Sequence, residues 1–399
     1  MKAGWKLTTL GDSFTTATGN TPPKNNADLF GSFMPLIKPP ELCDAELDTS
    51  EDGLSEFGVP FARTVPPNSI LVSCIGNLGK IGLNTVPVAF NQQINAILPD
   101  ERKALSRFMF FQVLSCTFKD QLESMASGTT VPIVNKSKFN SIQIVLPPLS
   151  EQKRIVTLLD EAFAHIATAK ANSEQNLQNA RALFDSHLQS ALTHGGSGWK
   201  STTLGAAIDL LLGFAFKSDQ YTESADSISL LRGDNIMQGV IRWDDVKKWR
   251  LNNLKPYEKY QLGEGDIVLA MDRPWVKAGL KRAMICADDL PCLLVQRTAC
   301  LRAGKNMNTS FLLHLVSSSA FTQHILGVQT GSGVPHISGQ QIKDFRFHCP
   351  PILMQSELAA QLDALSKETQ RLESIYQQKL SALGALKKSL LHQAFSGQL

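Results

Sequence analysis

Trp5-Lys6-Leu7-Thr8-Thr9-Leu10-Gly11 returns as Trp199-Lys200-Ser201-Thr202-Thr203-Leu204-Gly205, 194 residues further along the chain. A self-similarity of this span marks a duplicated unit. A chain of 399 residues is longer than one hydrophobic core usually serves, and each half is long enough to bury its own. Other anchors follow. Ser69-Ile70-Leu71-Val72 matches Asp266-Ile267-Val268-Leu269 at an offset of 197, each behind a turn-forming pair, Pro67-Asn68 and Glu264-Gly265. From Gln93 to Leu192 a gapless register of 203 is expected: Gln93 with Gln296, Phe108 with Phe311, Phe118 with Phe321, Gly128 with Gly331, Val131-Pro132 with Val334-Pro335, Pro147-Pro148 with Pro350-Pro351. Between the anchors, Gly31 to Gly58 shares little with Ile228 to Tyr257. The design implied is one scaffold carrying two different surfaces.

Each copy ends in a helical stripe. After Pro147-Pro148 and the capping pair Ser150-Glu151, the residues Ile155, Leu158, Ala162, Ile166, Ala169, Leu177, Ala180 and Phe184 recur mostly every three or four positions, until Gly195-Gly196. After Pro350-Pro351 come Leu358, Leu362, Leu365, Leu372, Tyr376, Leu380, Leu383, Leu386 and Leu390, with Lys387 and Lys388 where cations suit a helix C-terminus. A helix over residues 151 to 192 is about 63 Å long at 1.5 Å per residue, a spacer rather than a core helix. Neither stripe is hidden alone, so the two helices are expected to run antiparallel as a coiled coil and to bring the C-terminus back towards Trp5. The alternative is that each helix folds onto its own domain as a core helix. The fold expected is thus α+β: two mixed α/β domains in tandem, at residues 1–150 and 194–352, separated by spacer helices at 151–193 and 353–399.

Composition excludes more than it selects. With 43% hydrophobic and 19% charged residues the chain is an ordinary folded protein, and a net charge of +3 permits nucleic-acid binding without pointing to it. Seven scattered cysteines, none in a C-x-x-C pair, argue against a disulfide framework or zinc ribbon and for a reducing cytoplasm. Met1 to Leu10 lacks the apolar stretch of a signal peptide, and no run approaches the roughly 18 apolar residues of a membrane span. A soluble cytoplasmic protein is expected.

Catalytic constellations are missing from the sequence. The Asn or Asp before Pro-Pro and an aromatic that adenine methyltransferases carry is not found: Pro22-Pro23 follows Thr21, Pro39-Pro40 follows Lys38, and Pro147-Pro148 follows Leu146. Gly76-Asn77-Leu78-Gly79-Lys80-Ile81 has Cys74 where a phosphate loop needs its first glycine, and no hydroxyl after Lys80. Pro99-Asp100-Glu101-Arg102-Lys103 reads as a solvated turn, and Gly331-Ser332-Gly333 lacks the third glycine of a dinucleotide fingerprint. The eight histidines are dispersed, so neither a metal nor a cofactor is expected.

Gly128-Thr129-Thr130-Val131-Pro132, a short strand, Leu146-Pro147-Pro148-Leu149-Ser150-Glu151-Gln152 and a long helix, followed by the whole unit again, resembles the specificity subunits of type I restriction-modification enzymes. The resemblance covers essentially the entire chain. The second copy is looser, with Gly331-Ser332-Gly333-Val334-Pro335 and Pro350-Pro351-Ile352-Leu353-Met354-Gln355. It implies two target-recognition domains, each reading half of a split double-stranded DNA site, on helices that hold them apart and recruit two methyltransferase subunits. Restriction subunits, with their nuclease and motor, join that core, and the chemistry lies with these partners.

Base reading calls for Arg, Lys, Asn and Gln on loops able to enter the major groove. In the first half the candidates are Asn20 and Lys24 in Thr18 to Asn25, Asn77 and Lys80 in the glycine turn, and Gln92 in Asn91-Gln92-Gln93. In the second they are Lys217 after Gly213-Phe214-Ala215-Phe216, Arg232 and Asn235, then Arg273, Trp275 and Lys277, with Lys281 close behind. An offset of 197 pairs Lys80 with Lys277. Trp243, Trp249 and Trp275 are candidates for stacking, although a tryptophan is more often partly buried core. Two other readings compete: a structural adaptor that binds proteins, and a stand-alone DNA-binding repressor. The salt dependence of DNA affinity separates the adaptor from a DNA binder.

Overall fold

The computed structural model describes residues 4–193, 196, 198–331 and 333–399. The chain forms two compact units, Met1–Glu174 with Gln377–Leu399, and Gln175–Tyr376. The division between them falls inside both long helices, so each unit takes one end of each.

In the first unit the strand Ile70–Ser73 lies between Ile94–Leu98 and Ile81–Asn84, antiparallel to both; Thr15–Thr18 and Ala45–Leu47 complete a five-stranded sheet. These strands are near-continuous apolar runs because both sheet faces are covered. Ile70, Val72 and Ile97 face a core with Phe108, Phe111 and Phe118 of the helices Ser106–Leu114 and Cys116–Ser124. Leu71, Ile94 and Ala96 face Val88 and Phe90, from a second sheet ordered Gly53–Leu54, Phe30–Ile37, Val88–Phe90, Thr64–Val65. Lys6–Thr9 pairs antiparallel with Gln143–Leu146, joining the start of the copy to the strand before its long helix.

The second unit repeats this plan by itself. Ile208–Leu212, Thr298–Ala303, Ile267–Ala270 and Arg282–Met284 form the central sheet, and Lys200–Thr203 pairs with Arg346–Cys349. Its second sheet is Lys247–Arg250, Ser227–Leu231, Cys292–Leu294.

Pairing corrects the register expected from Gln93 onward. Ile97 lies opposite Ile70, and Leu301 opposite Ile267, so in these strands the copies correspond at an offset of 204, not 203. A one-residue difference in the connection to the next helix restores 203 at Phe108 and Phe311. The distinction is physical, since a one-residue slip in a strand exchanges its faces. At 204 Ile97 and Leu301 both face the helices; at 203 Ile97 would correspond to Cys300, which faces the opposite core.

The long helices are Leu149–Thr193 and Ile352–Ser396, 45 residues each. Within the first unit they run antiparallel: Ile155 and Leu159 bury with Leu391 and Ala394 in the core that holds Trp5, and Arg154 Nη2 donates to the Leu399 carbonyl at 2.8 Å. Lys387 Nζ lies 5.0 Å from the Phe163 ring centroid. Within the second unit Leu188 and Leu192 bury with Ala359 and Leu362, and Arg181 Nε meets Glu373 Oε1 at 2.7 Å. Helix pairing and packing onto the domain core, set out above as alternatives, therefore both occur. No single described helix is long and apolar enough to cross a membrane. The apolar pair Thr309–Ser317 and Ser319–Val328 is bent by 59° and places Phe311, Leu312, Leu315, Phe321 and Ile325 in the core.

Seven cysteines are free. Burial pushes the Cys74 and Cys292 thiols up to about 12, and pushes Cys300 up as well. Thiolate being the reactive form, alkylation of the native chain at pH 8 should mark exposed Cys43 and Cys286 and spare Cys74, Cys292 and Cys300 until the chain unfolds. Peptide mapping by mass spectrometry checks this; early labelling of Cys74 or Cys300 would contradict the packing described.

Candidate nucleic-acid interface

In the first unit three of the loops singled out above converge. The turn Cys74–Lys80 joins Ile70–Ser73 to Ile81–Asn84, and its Cys74 N–H donates to the Gln93 carbonyl at 2.8 Å. The Gly128–Pro132 segment seats on the same turn: Gly76 N–H donates to Pro132 O at 2.9 Å and Val134 N–H to Cys74 O at 2.8 Å. Gly128 has φ 102°, and a Cβ there would meet the Val131 carbonyl at 2.4 Å, so this position requires glycine. Asn20 N–H bonds Phe90 O at 3.0 Å and the Thr21 hydroxyl bonds Gln92 Oε1 at 3.0 Å, which brings Asn20 and Gln92 together. The Asn20 amide is engaged internally, donating to Phe61 O and accepting from Arg63 N. Lys24, Asn77 and Gln92 are exposed and Lys80 is half-buried.

The second unit builds the same junction from different side chains. Met271 N–H donates to Arg297 O at 2.8 Å, Arg273 N–H to Pro335 O at 2.7 Å, and Ile337 N–H to Met271 O at 2.9 Å. Around it opens a cavity of 620 Å³ lined by Arg232, Asp234, Asp272, Arg273, Lys281 and Arg297 among others. Arg232 Nη2 is 3.2 Å from Asp234 Oδ2, and Arg297 Nη1 is 3.7 Å from Asp272 Oδ1. Lys281 is 9% exposed; burial lowers its pKa, Asp234 opposes the shift and Arg273 reinforces it. Burial also brings Arg282 down to about 10. Cations held partly out of water gain from a partner rich in hydrogen-bond acceptors.

Strand pairing re-assigns the lysines. Ser73 N–H donates to Lys80 O, and the equivalent Ala270 N–H donates to Lys281 O, so Lys80 corresponds to Lys281 rather than Lys277. The second loop is longer and forms a small hairpin, Trp275–Val276 with Gly279–Leu280, whose tip holds Lys277. Trp275 is 42% exposed on that hairpin.

Asn235 is 4% exposed; its Oδ1 accepts from Arg232 N and its Nδ2 donates to Arg242 O, so its amide is engaged in shaping the turn. Arg232, Arg273 and Lys281 are thus brought together, whereas exposed Lys217 precedes the cavity residue Ser218 in the chain, and Trp275 and Lys277 lie on the added hairpin. Trp249 is core, packed against Phe216 and Tyr257, and half-buried Trp243 Nε1 donates to Asp289. Arg297 went unrecognised in the sequence; its signal was its place after Gln296, the counterpart of Gln92-Gln93.

The family model described as type I restriction modification DNA specificity domain matches residues 2–179 and 196–381. The chain belongs to the type I restriction-modification DNA specificity family. The type I restriction enzyme EcoAI specificity subunit of Escherichia coli is 35% identical over 178 residues, 45% of this chain and 30% of that protein. The MjaVIII specificity subunit of Methanocaldococcus jannaschii is 24% identical over 99% of this chain and 93% of its own length. Two solved structures share the fold of this chain across 100% of its length. One, from work on complex assembly and conformational transition of the type I R-M system, has a TM-score of 0.82 at 16% identity and is 99% covered. The other, the HsdS subunit from Thermoanaerobacter tengcongensis, has 0.62 at 17% and is 98% covered.

Proposed function

We propose that this chain reads an asymmetric, bipartite DNA sequence in the cytoplasm, with residues 1–150 and 194–352 as its two recognition domains. The helices at 151–193 and 353–399 serve as spacer and as the platform for two methyltransferase subunits, which restriction subunits join. The chain itself contributes no catalytic group and binds no cofactor. The observation that carries this reading is the equivalence of the two loop junctions. The same strand–turn–strand frame and the same backbone bonds present Gly76, Lys80 and Gln93 in one copy, and Arg273, Lys281 and Arg297 in the other. Equal frames with unequal side chains suit two dissimilar half-sites, because base edges are distinguished by their donor and acceptor patterns.

Sequencing the methylated sites in a host that carries this chain and its cognate methyltransferase tests the reading. Two different half-sites around an unread gap are expected. A continuous motif, or a perfect palindrome, would overturn it.

A further inference from the structure

Two arginines of the second unit occupy a backbone region that L side chains rarely adopt: Arg273 at φ 45° and Arg297 at φ 64°. For a non-glycine residue this conformation is strained, because Cβ crowds the following carbonyl oxygen. At the first site the strain is avoidable, since the equivalent position in the first copy is Gly76 at φ 77°, with the same backbone bond to the Gly-x-x-Val-Pro segment. Both arginines line one cavity, so the strained backbone is kept where it sets two arginines around a single opening.

The other lining groups discriminate between ligands. A site for phosphate needs donors alone, because a phosphate offers only acceptor oxygens. This cavity also carries the carboxylates of Asp234 and Asp272, which oppose an anion. A G·C pair presents both kinds of group in the major groove: guanine O6 and N7 accept, and cytosine N4 donates, matching guanidinium and carboxylate respectively. We infer that the second recognition domain reads at least one G·C pair through Arg273 and Arg297, with Asp234 or Asp272 available to the cytosine amino group. This rests on the DNA-reading role proposed above. The first copy, with Gly76 and Gln93 at the equivalent positions, lacks this guanidinium pair.

The test compares wild-type, Arg273→Gly and Arg297→Gln chains, each assembled with the cognate methyltransferase subunits. Methylation motifs are sequenced, and affinity is measured on the cognate site and on sites with single G·C to A·T changes, at several salt concentrations. The expected result is that one half-site relaxes at a G·C position while the other is unchanged. Cognate affinity should fall roughly 5- to 150-fold per variant with the salt slope preserved. Arg273→Gly places glycine where the first copy already has it, so an unchanged thermal transition separates lost reading from lost folding.

A wild-type motif without G·C in either half-site, or variants whose motif equals the wild type's, would overturn the inference and leave the bipartite reading intact. Loss of affinity that is uniform across sequences and flattens the salt slope would make the arginines phosphate contacts, which also overturns it. A wild-type motif that is continuous would remove the underlying reading and the inference together.

Discussion

Replacing Gln152 with Ala is expected to lower the stability of the first unit by about 2–4 kcal/mol, and replacing Gln355 with Ala to do the same to the second. Both glutamines are 0% exposed and lie in the first turn of a long helix. Gln152 Oε1 accepts from Leu105 N at 3.0 Å, while its Nε2 donates to Lys103 O at 3.0 Å and Pro147 O at 2.9 Å. Gln355 repeats the set with Asn308 N at 2.8 Å, Asn306 O at 3.0 Å and Pro350 O at 2.8 Å. One side chain thus ties the helix start both to the Pro-Pro turn before it and to the chain leading into the domain's core helices.

Truncation to Ala strands one buried donor and two acceptors, at about 1–3 kcal/mol for each group that water does not reach. Because the two sites share no partners, the double variant should lose the sum of the single losses. Denaturant unfolding followed by tryptophan fluorescence measures this, with Trp5 reporting on the first unit. A midpoint shift equivalent to less than about 0.5 kcal/mol, the range of ordinary surface substitutions, would show that the clamp is not structural.

The second expected result is all-or-none. Purified alone, the chain should transfer no labelled methyl groups to DNA and cut none, and methylation should begin when the cognate methyltransferase subunits are added. The sequence lacks the Asn/Asp-Pro-Pro-aromatic and phosphate-loop patterns such chemistry uses, and Cys74, Cys292 and Cys300 are buried with thiols held protonated. Methyl transfer by the chain alone, undiminished by further purification, would assign it a catalytic role and refute this expectation.

Repetition, helix stripes and turn chemistry by themselves determined the duplicated α+β plan, the two long helices and the loops that carry the candidate contacts. These signals survive in one dimension because they are local: a stripe needs only its own spacing, and Gly128 needs only the carbonyl three residues ahead. What tertiary structure decided is which residues of the two copies are equivalent and which side chains are free. The register slip between Ile97 and Leu301, and the partnership of Lys80 with Lys281 instead of Lys277, follow from strand pairing across insertions that alignment by similarity placed elsewhere. Arg297, the strand-paired counterpart of Gln93, is set beside the cavity because Met271 bonds its carbonyl from another strand. A polar residue's availability depends on neighbours brought by long-range pairing, and that information is absent from the residue's own stretch of chain.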